Sequence, residues 1–88
     1  MINQKRYQMA KVIYKNNIRD LRKMAGLTQG DFAKKCKWIG GQARVANYES
    51  ATREPSLGDV RTIIFVFKKE GLDVTFEDVF PTKKIIKR

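Results

Sequence analysis

Histidine is absent from this sequence of 88 residues, and cysteine occurs once, at Cys36. A single cysteine cannot form an internal disulfide, which favours a reducing, cytoplasmic location. Without histidine, a Ser-His-Asp triad, a Cys-His pair and a structural zinc site of the common Cys/His type are excluded. We therefore expect no enzyme, no metal ion and no other cofactor.

Long apolar runs are also missing. No stretch approaches the roughly 18 consecutive apolar residues of a membrane span, and residues 1–6 lack the apolar region of a secretory signal. We expect neither membrane association nor secretion. Apolar residues still make up 42% of the chain, which is enough for the core of one small domain.

Acidic residues are scarce beside basic ones, with 9 Asp and Glu against 19 Lys and Arg and a formal charge of +10. Residues 1–53 carry a net charge of +9, residues 54–80 carry −3, and residues 81–88 carry +4. Such a field attracts a protein to polyanions. Because solubility does not require this segregation, we expect an anion-binding face in the first half of the chain.

Capping residues and glycines divide the chain into short helical pieces. Asn17 and Thr28 each precede an aspartate by three positions, which predicts helix starts. Gly26 and the pair Gly40-Gly41 predict helix ends. Helix 2 is therefore expected over about residues 28–37, and helix 3 over about 42–50.

A fourth helix is predicted from Ser56 to Gly71, followed by a short helical turn over 75–80. Its expected buried stripe follows helical spacing and consists of Leu57, Val60, Ile64 and Phe67. A hairpin of residues 62–67 with 74–76 is the alternative, because 62–67 is rich in β-branched and aromatic residues. The capping residues favour the helix, whereas residues 1–16 fit a helix and a strand equally well.

Five short segments then carry a family pattern. They are Ile18–Arg22, Gly26–Ala33, Val45–Glu49, Arg53–Leu57 and Gly71–Phe80. In this order they resemble the phage-repressor (Xre/Cro-type) helix-turn-helix proteins. The resemblance implies an all-α, five-helix, lambda-repressor-like domain over residues 17–80, with an N-terminal extension (1–16) and a basic tail (81–88). A short strand at either terminus stays open.

Helix 3 has the chemistry of a DNA-reading helix. Val45 and Tyr48 are expected to bury it against the domain. The side chains expected to point outward and to contact bases are Gln42, Ala43, Arg44 and Asn47. Gln and Asn can bond bidentately to adenine, and Arg to guanine.

Other residues are expected to contact phosphates. Gln29 begins helix 2, where backbone N–H groups favour an anion, and the resemblance implies a contact with the DNA backbone there. Ser50, Thr52 and Arg53 follow helix 3 and are expected to add phosphate contacts, which fix register and make binding sensitive to salt.

The resemblance assigns Arg22 and Glu49 a structural role, as a partly buried ion pair that ties helix 1 to the end of helix 3. Two departures from the family pattern stand out. Between Gln29 and Glu49 the chain is about two residues longer than usual, in the turn 37–41, where Trp38 is expected to cover the turn, the alternative being a contact with the DNA backbone or a partner. Ala51 stands where the family often has Gly.

The sequence thus predicts a sequence-specific regulator that binds double-stranded operator DNA as a homodimer. We expect a phage or bacterial repressor that places helix 3 in the major groove of a pseudo-palindromic operator. The alternative is an antitoxin-type protein that neutralises a protein partner and autoregulates through DNA binding. A generic nucleic-acid binder ranks last, because interleaved exposed aromatics are lacking. Whether residues 63–66 form core or a dimer interface stays open.

Overall fold

A computed structural model describes residues 15–81, and this part of the chain is all-α. Its five helices are α1 (Ile18–Met24), α2 (Gln29–Cys36), α3 (Gly41–Glu49), α4 (Leu57–Lys69) and α5 (Phe76–Val79). The predicted five-helix fold is confirmed, and the hairpin alternative is wrong because residues 62–67 lie inside α4. The terminal strands left open by the sequence fall on residues 1–14 and 82–88, outside the described residues.

Capping boxes set the starts of α2 and α5. The Thr28 hydroxyl accepts a hydrogen bond from the Asp31 backbone N–H at 3.0 Å, and the Asp31 carboxylate accepts from the Thr28 N–H at 3.4 Å. Hydrogen bonds to the Asp31 carboxylate from the side chain and the backbone of Thr28 lower the pKa of that carboxyl. Thr75 and Asp78 form the same box at α5. Each box satisfies backbone donors that an uncapped helix would leave without partners.

Asn17 is the N-cap residue of α1, as predicted, but its side chain does not cap the helix. Its amide nitrogen donates instead to the Asp78 carbonyl at 2.8 Å, and its backbone N–H donates to the Val79 carbonyl at 2.9 Å. The amide of Asn17 is therefore engaged in joining the start of α1 to α5. The neighbouring Asn16 provides the side-chain hydrogen bond at the start of α1, because its side-chain oxygen accepts from the Ile18 N–H at 3.1 Å.

The core lies among all five helices. Its fully buried large side chains are Ile18, Phe32, Val45, Ile63, Phe67 and Val79. The rings of Phe32 and Phe67 stack with centroids 5.0 Å apart, which packs α2 against α4. Cys36 is buried beside them, and desolvation raises the pKa of its thiol to about 12. Such a thiol forms little reactive thiolate, so Cys36 serves packing.

The buried face of α4 differs from the predicted stripe. The helix buries Ile63, Val66 and Phe67, whereas Leu57 is 65% exposed. Val60 and Ile64, also predicted to be buried, are half-buried. The expected periodicity failed because apolar residues occur nearly all around this helix, so that spacing alone could not single out one face. None of the helices within residues 15–81 is long and apolar enough to cross a membrane.

Candidate nucleic-acid interface

Helices α2 and α3 meet through a turn that is held closely to the domain. Lys37 ends α2 in the left-handed conformation, with φ of 60°. The Trp38 N–H then donates to the Ala33 carbonyl at 3.1 Å, and the Gly41 N–H donates to the Trp38 carbonyl at 3.2 Å. These bonds close the lengthened turn over residues 37–40 and start α3 at Gly41, one residue before the predicted start.

The Trp38 side chain covers this turn. Its ring is half-buried and stands edge-on to the rings of Phe32 and Tyr48, with centroids 6.2 and 5.5 Å away. Edge-to-face contacts of this kind add to the stabilisation that burial provides. The turn is therefore anchored in the core although it is longer than the family pattern.

One face of α3 is buried and the other is open. Val45 and Tyr48 point into the core, while Gln42 and Ala43 are exposed and Asn47 is half-buried. At 3.6 residues per turn, residues 43 and 47 lie one above the other on the side away from Val45 and Tyr48. The open face of α3 thus offers two amide side chains and one methyl group.

Arg44 departs from the expectation that it points outward with these three residues. Its Nη1 atom lies 3.3 Å from Oδ2 of Asp59 on α4, and its guanidinium lies over the Trp38 ring, 5.3 Å from the centroid. The reason is the negative charge of Asp59, which draws the guanidinium to the flank of α3 that faces α4. The sequence analysis did not identify Asp59 as a partner of Arg44. The one local indication was its position three residues after Ser56, which places an acidic side chain in the first turn of α4.

Asp59 also anchors the last turn of α3. The Tyr48 hydroxyl donates to the same Oδ2 atom of Asp59 at 2.6 Å. Burial of the tyrosine, together with this hydrogen bond and the nearby carboxylate charge, raises the pKa of Tyr48. The first turn of α4, where the Ser56 hydroxyl accepts from the Asp59 N–H at 3.1 Å, is thereby joined to α3.

The end of α3 is held by Arg22 and Glu49. The arginine Nη2 atom lies 3.2 Å from Oε1 of Glu49, its Nε atom bonds to Oε2, and its Nη1 atom donates to the Leu27 carbonyl at 2.8 Å. The two side chains are only 9% and 6% exposed. This two-point ion pair joins α1 to the last residue of α3, with its donors directed in the planar geometry that suits a carboxylate.

Gln29 continues this network to the open face of α3. Its amide nitrogen donates to Oε1 of Glu49 at 3.0 Å, and its amide oxygen accepts from the Gln42 side chain at 3.1 Å. Gln29 is half-buried, and its position at the start of α2 is the predicted one. A continuous path of hydrogen bonds therefore runs from Arg22 through Glu49 and Gln29 to Gln42.

The loop after α3 carries the remaining predicted phosphate contacts. Ser50, Thr52 and Arg53 are exposed, and the Ser50 and Thr52 hydroxyl oxygens lie 2.7 Å apart. The Asn47 carbonyl accepts from the backbone N–H groups of Thr52 and Arg53 at 3.0 and 3.2 Å. Ala51, with φ of 64°, makes the bend. The loop thus folds back against the end of α3 beside Asn47.

Within residues 15–81, no group of three or more His, Cys, Asp or Glu side chains lies close enough together to bind a metal ion.

The surface around α3 combines a fixed helix with an open polar face, the start of the neighbouring helix α2 and a loop of exposed hydrogen-bond donors. These are the elements with which a protein helix enters the major groove of DNA while the residues around it bind the DNA backbone.

Comparison with protein families agrees with this geometry. The Helix-turn-helix family model matches residues 18–68, more than half of the chain. The chain therefore belongs to the helix-turn-helix family of the Xre/Cro/CI type, whose members are non-enzymatic DNA-binding regulators, and DNA is the partner that this domain implies. No curated protein and no solved structure matches the chain significantly.

Proposed function

We propose that this chain is a sequence-specific transcriptional repressor of phage or bacterial type. It acts in the cytoplasm and binds a pseudo-palindromic operator as a homodimer, with α3 of each protomer in the major groove. The open face of α3, fixed at both ends to the rest of the domain, is the observation that carries this proposal. A rigidly held reading helix aligns its side chains with base edges at little entropic cost.

Base contacts are assigned to the open face of α3. Gln42 and Asn47 carry amides that can bond to adenine through its N6 and N7 atoms, and the Ala43 methyl group suits a thymine methyl. Gln42 is already oriented by its bond to Gln29. Such orientation favours one base over another, because a wrong base leaves a directed donor or acceptor without a partner.

Arg44 is proposed as a fourth base contact, and it requires a rearrangement. To reach a guanine, its guanidinium must leave Asp59, from which it is now separated by 3.3 Å. The pair is partly exposed, so this exchange costs on the order of 1 kcal/mol or less. Arg44→Ala is expected to weaken the preference for guanine at one position. An unchanged preference would assign Arg44 to the contact between α3 and α4 alone.

Phosphate contacts are assigned to the residues around the open face, namely Gln29, Ser50, Thr52 and Arg53. Arg53→Ala is expected to weaken binding to all duplexes equally and to reduce the salt dependence by about one counterion. Lys69→Ala on α4 is the matched control, since it removes an equal charge from a helix that does not carry the reading face.

The test of this function is binding to the DNA upstream of the chain's own gene, compared with a scrambled duplex at two salt concentrations. We expect at least about a hundredfold tighter binding to the native duplex, with a gap that survives higher salt. Asn47→Ala should remove most of this gap and keep non-specific binding, because the loop after α3 bonds to the backbone carbonyl of Asn47. Equal binding of both duplexes, abolished by salt, would contradict sequence-specific function.

A dimer is tested separately, by sedimentation with and without the operator and by half-site spacing in a footprint. Two protected half-sites about one DNA turn apart are the expected result. Of the apolar residues of α4 that could have served an interface, Ile63 and Val66 are buried in the core, whereas Phe65 is 61% exposed.

The antitoxin alternative is favoured by one observation, the two large apolar side chains Leu57 and Phe65 that α4 leaves exposed at 65% and 61%. Large exposed apolar residues are common at protein interfaces. Co-purification with a second protein in a fixed ratio, lost in Phe65→Ser, would support this alternative. Purification as the chain alone, with specific DNA binding intact, would support the repressor.

A further inference from the structure

Ile39 is the most exposed large apolar side chain of the described residues. It is 100% exposed, whereas Met24, Leu57, Phe65 and Phe76 lie between 47% and 69%. An isoleucine in this state contributes nothing to the core and leaves its whole apolar surface in water. It also lies in the turn 37–40, the part of the chain that is longer than the family pattern.

The turn around Ile39 does not allow the side chain to move into the core. Trp38 already occupies the space under the turn, edge-on to Phe32 and Tyr48. The hydrogen bond from Gly41 N–H to the Trp38 carbonyl, at 3.2 Å, closes a tight turn with Ile39 and Gly40 at its two central positions. Ile39 is therefore presented to solvent from a fixed turn.

This turn leads directly into the N-terminus of α3. In helix-turn-helix domains the N-terminal residues of the reading helix contact base edges in the major groove. Ile39 precedes the first residue of α3 by two positions and Gln42 by three. Between them, a Cβ atom at Gly41 would meet no atom within 4 Å, so a base pair can approach the backbone closely there, whereas the corresponding side of Gly40 is occupied by the Arg44 side chain.

We propose that Ile39 contacts the C5 methyl group of a thymine in the major groove, at the base pair beside the one that lies under Gln42. The methyl group of thymine is the apolar feature by which the major groove distinguishes a T·A pair, and an apolar side chain recognises it. This inference rests on the proposed function. It adds a specificity-determining residue from the lengthened turn to the amides of α3.

The first experiment selects binding sites from a pool of random duplexes with the wild-type chain, Ile39→Ala and Met24→Ala. Met24 is an exposed apolar residue on α1 and serves as the matched control. We expect the wild type and Met24→Ala to select the same sites, and Ile39→Ala to lose a thymine at one position and keep the others. Because Ile39 is fully exposed, Ile39→Ala should unfold at the wild-type temperature.

The second experiment replaces that thymine by deoxyuridine, which removes only the methyl group. Burial of one methyl-sized group is worth about 0.8 kcal/mol, so the wild type should bind about fourfold more weakly, and Ile39→Ala should bind both duplexes equally. The inference is overturned if Ile39→Ala selects the wild-type sites, or if deoxyuridine weakens its binding as much as it weakens binding of the wild type. The exposed Ile39 side chain would then be a candidate for a contact with another protein. If the wild type selects no common sequence, the proposed function itself fails.

Discussion

The supporting helices α1 and α4 and the two helices of the helix-turn-helix unit, α2 and α3, end in the same backbone arrangement but with different residues. Gly26 and Gly71 end α1 and α4 at φ of 77° and 93°, whereas Lys37 and Ala51 end α2 and α3 at φ of 60° and 64°. All four lie in the left-handed region. Only glycine adopts it without cost, and other residues lose about 1–2 kcal/mol there.

Hydrogen bonds show that the four ends are equivalent. The N–H group after each left-handed residue bonds to a carbonyl five positions back, as in Leu72 to Phe67 at 3.0 Å and Thr52 to Asn47 at 3.0 Å. This is the Schellman motif. The four helix ends differ only in the side chain of the left-handed residue. With glycine at this position, α1 and α4 end without backbone strain, whereas α2 and α3, the reading unit, end with a strained Lys37 and Ala51. Strain of this kind clusters at functional sites, and Lys37 also places a cation in the turn.

Two polar contacts that involve buried side chains hold the reading unit to the supporting helices, and the stronger is the ion pair of Arg22 with Glu49. Arg22→Ala leaves the carboxylate of Glu49, whose side chain is 6% exposed, without its cation. We expect the free energy of unfolding to fall by about 3–5 kcal/mol, the usual result of breaking a buried pair from one side. Urea unfolding followed by circular dichroism measures this loss.

The control is the pair of Lys35 with Glu70, which is 45% and 24% exposed. Lys35→Ala should cost on the order of 1 kcal/mol or less, because water replaces the lost partner. Equal losses in Arg22→Ala and Lys35→Ala would show that the link between α1 and α3 is no stronger than a surface pair.

The second of these polar contacts is the hydrogen bond from Tyr48 to Asp59. Tyr48→Phe keeps the ring in the core and removes the hydroxyl, so we expect a loss of about 1.5–3 kcal/mol, as for other hydrogen bonds to charged groups. The raised pKa of Tyr48 in the folded state gives this contribution a pH dependence. It is fully present below the unfolded pKa of about 10 and is lost as the pH rises through the higher folded pKa.

Measuring unfolding of both proteins at increasing alkaline pH checks the sign. The stability gap between the wild type and Tyr48→Phe should narrow as the pH rises above 10. A gap that stays constant or widens would contradict a hydrogen bond donated by the neutral tyrosine.

Much of this arrangement could be predicted from local sequence, and the rest depends on contacts between distant residues. The capping box of Thr28 and the outward position of Asn47 follow from patterns within a few residues. The direction of Arg44 depends on Asp59, fifteen positions away and on another helix, which no local periodicity reports. The buried face of α4 could not be predicted because its apolar residues leave several faces equally suitable, and only packing against Phe32 decides among them.

The glycines of the supporting helices give the next prediction. A Cβ atom on Gly26 or Gly71 would meet no atom within 4 Å, so alanine there changes only the backbone preference. Gly26→Ala and Gly71→Ala should each lower the free energy of unfolding by about 1 kcal/mol, the left-handed penalty less the entropy that glycine loses on folding. If alanine is tolerated at both positions without loss, the contrast with Lys37 and Ala51 has no energetic meaning.

The reverse substitution at the end of α3 should have the smallest effect and the opposite sign. Ala51→Gly relieves the left-handed strain at φ of 64°, while glycine gains entropy in the unfolded chain, so the net stabilisation is about 0.5–1 kcal/mol. Thermal unfolding measures it, and Ala43→Gly in the same helix is the control that should destabilise, because glycine is a poor helix former in the ordinary helical conformation. Since Ala51 bends the loop that carries Ser50, Thr52 and Arg53, DNA binding is the second measurement. If Ala51→Gly is more stable and binds DNA with unchanged affinity, the strain at Ala51 has no role in binding. If it is more stable but binds DNA more weakly, the loop needs the alanine for binding. If it is less stable than the wild type, the comparison between the two pairs of helix ends is contradicted.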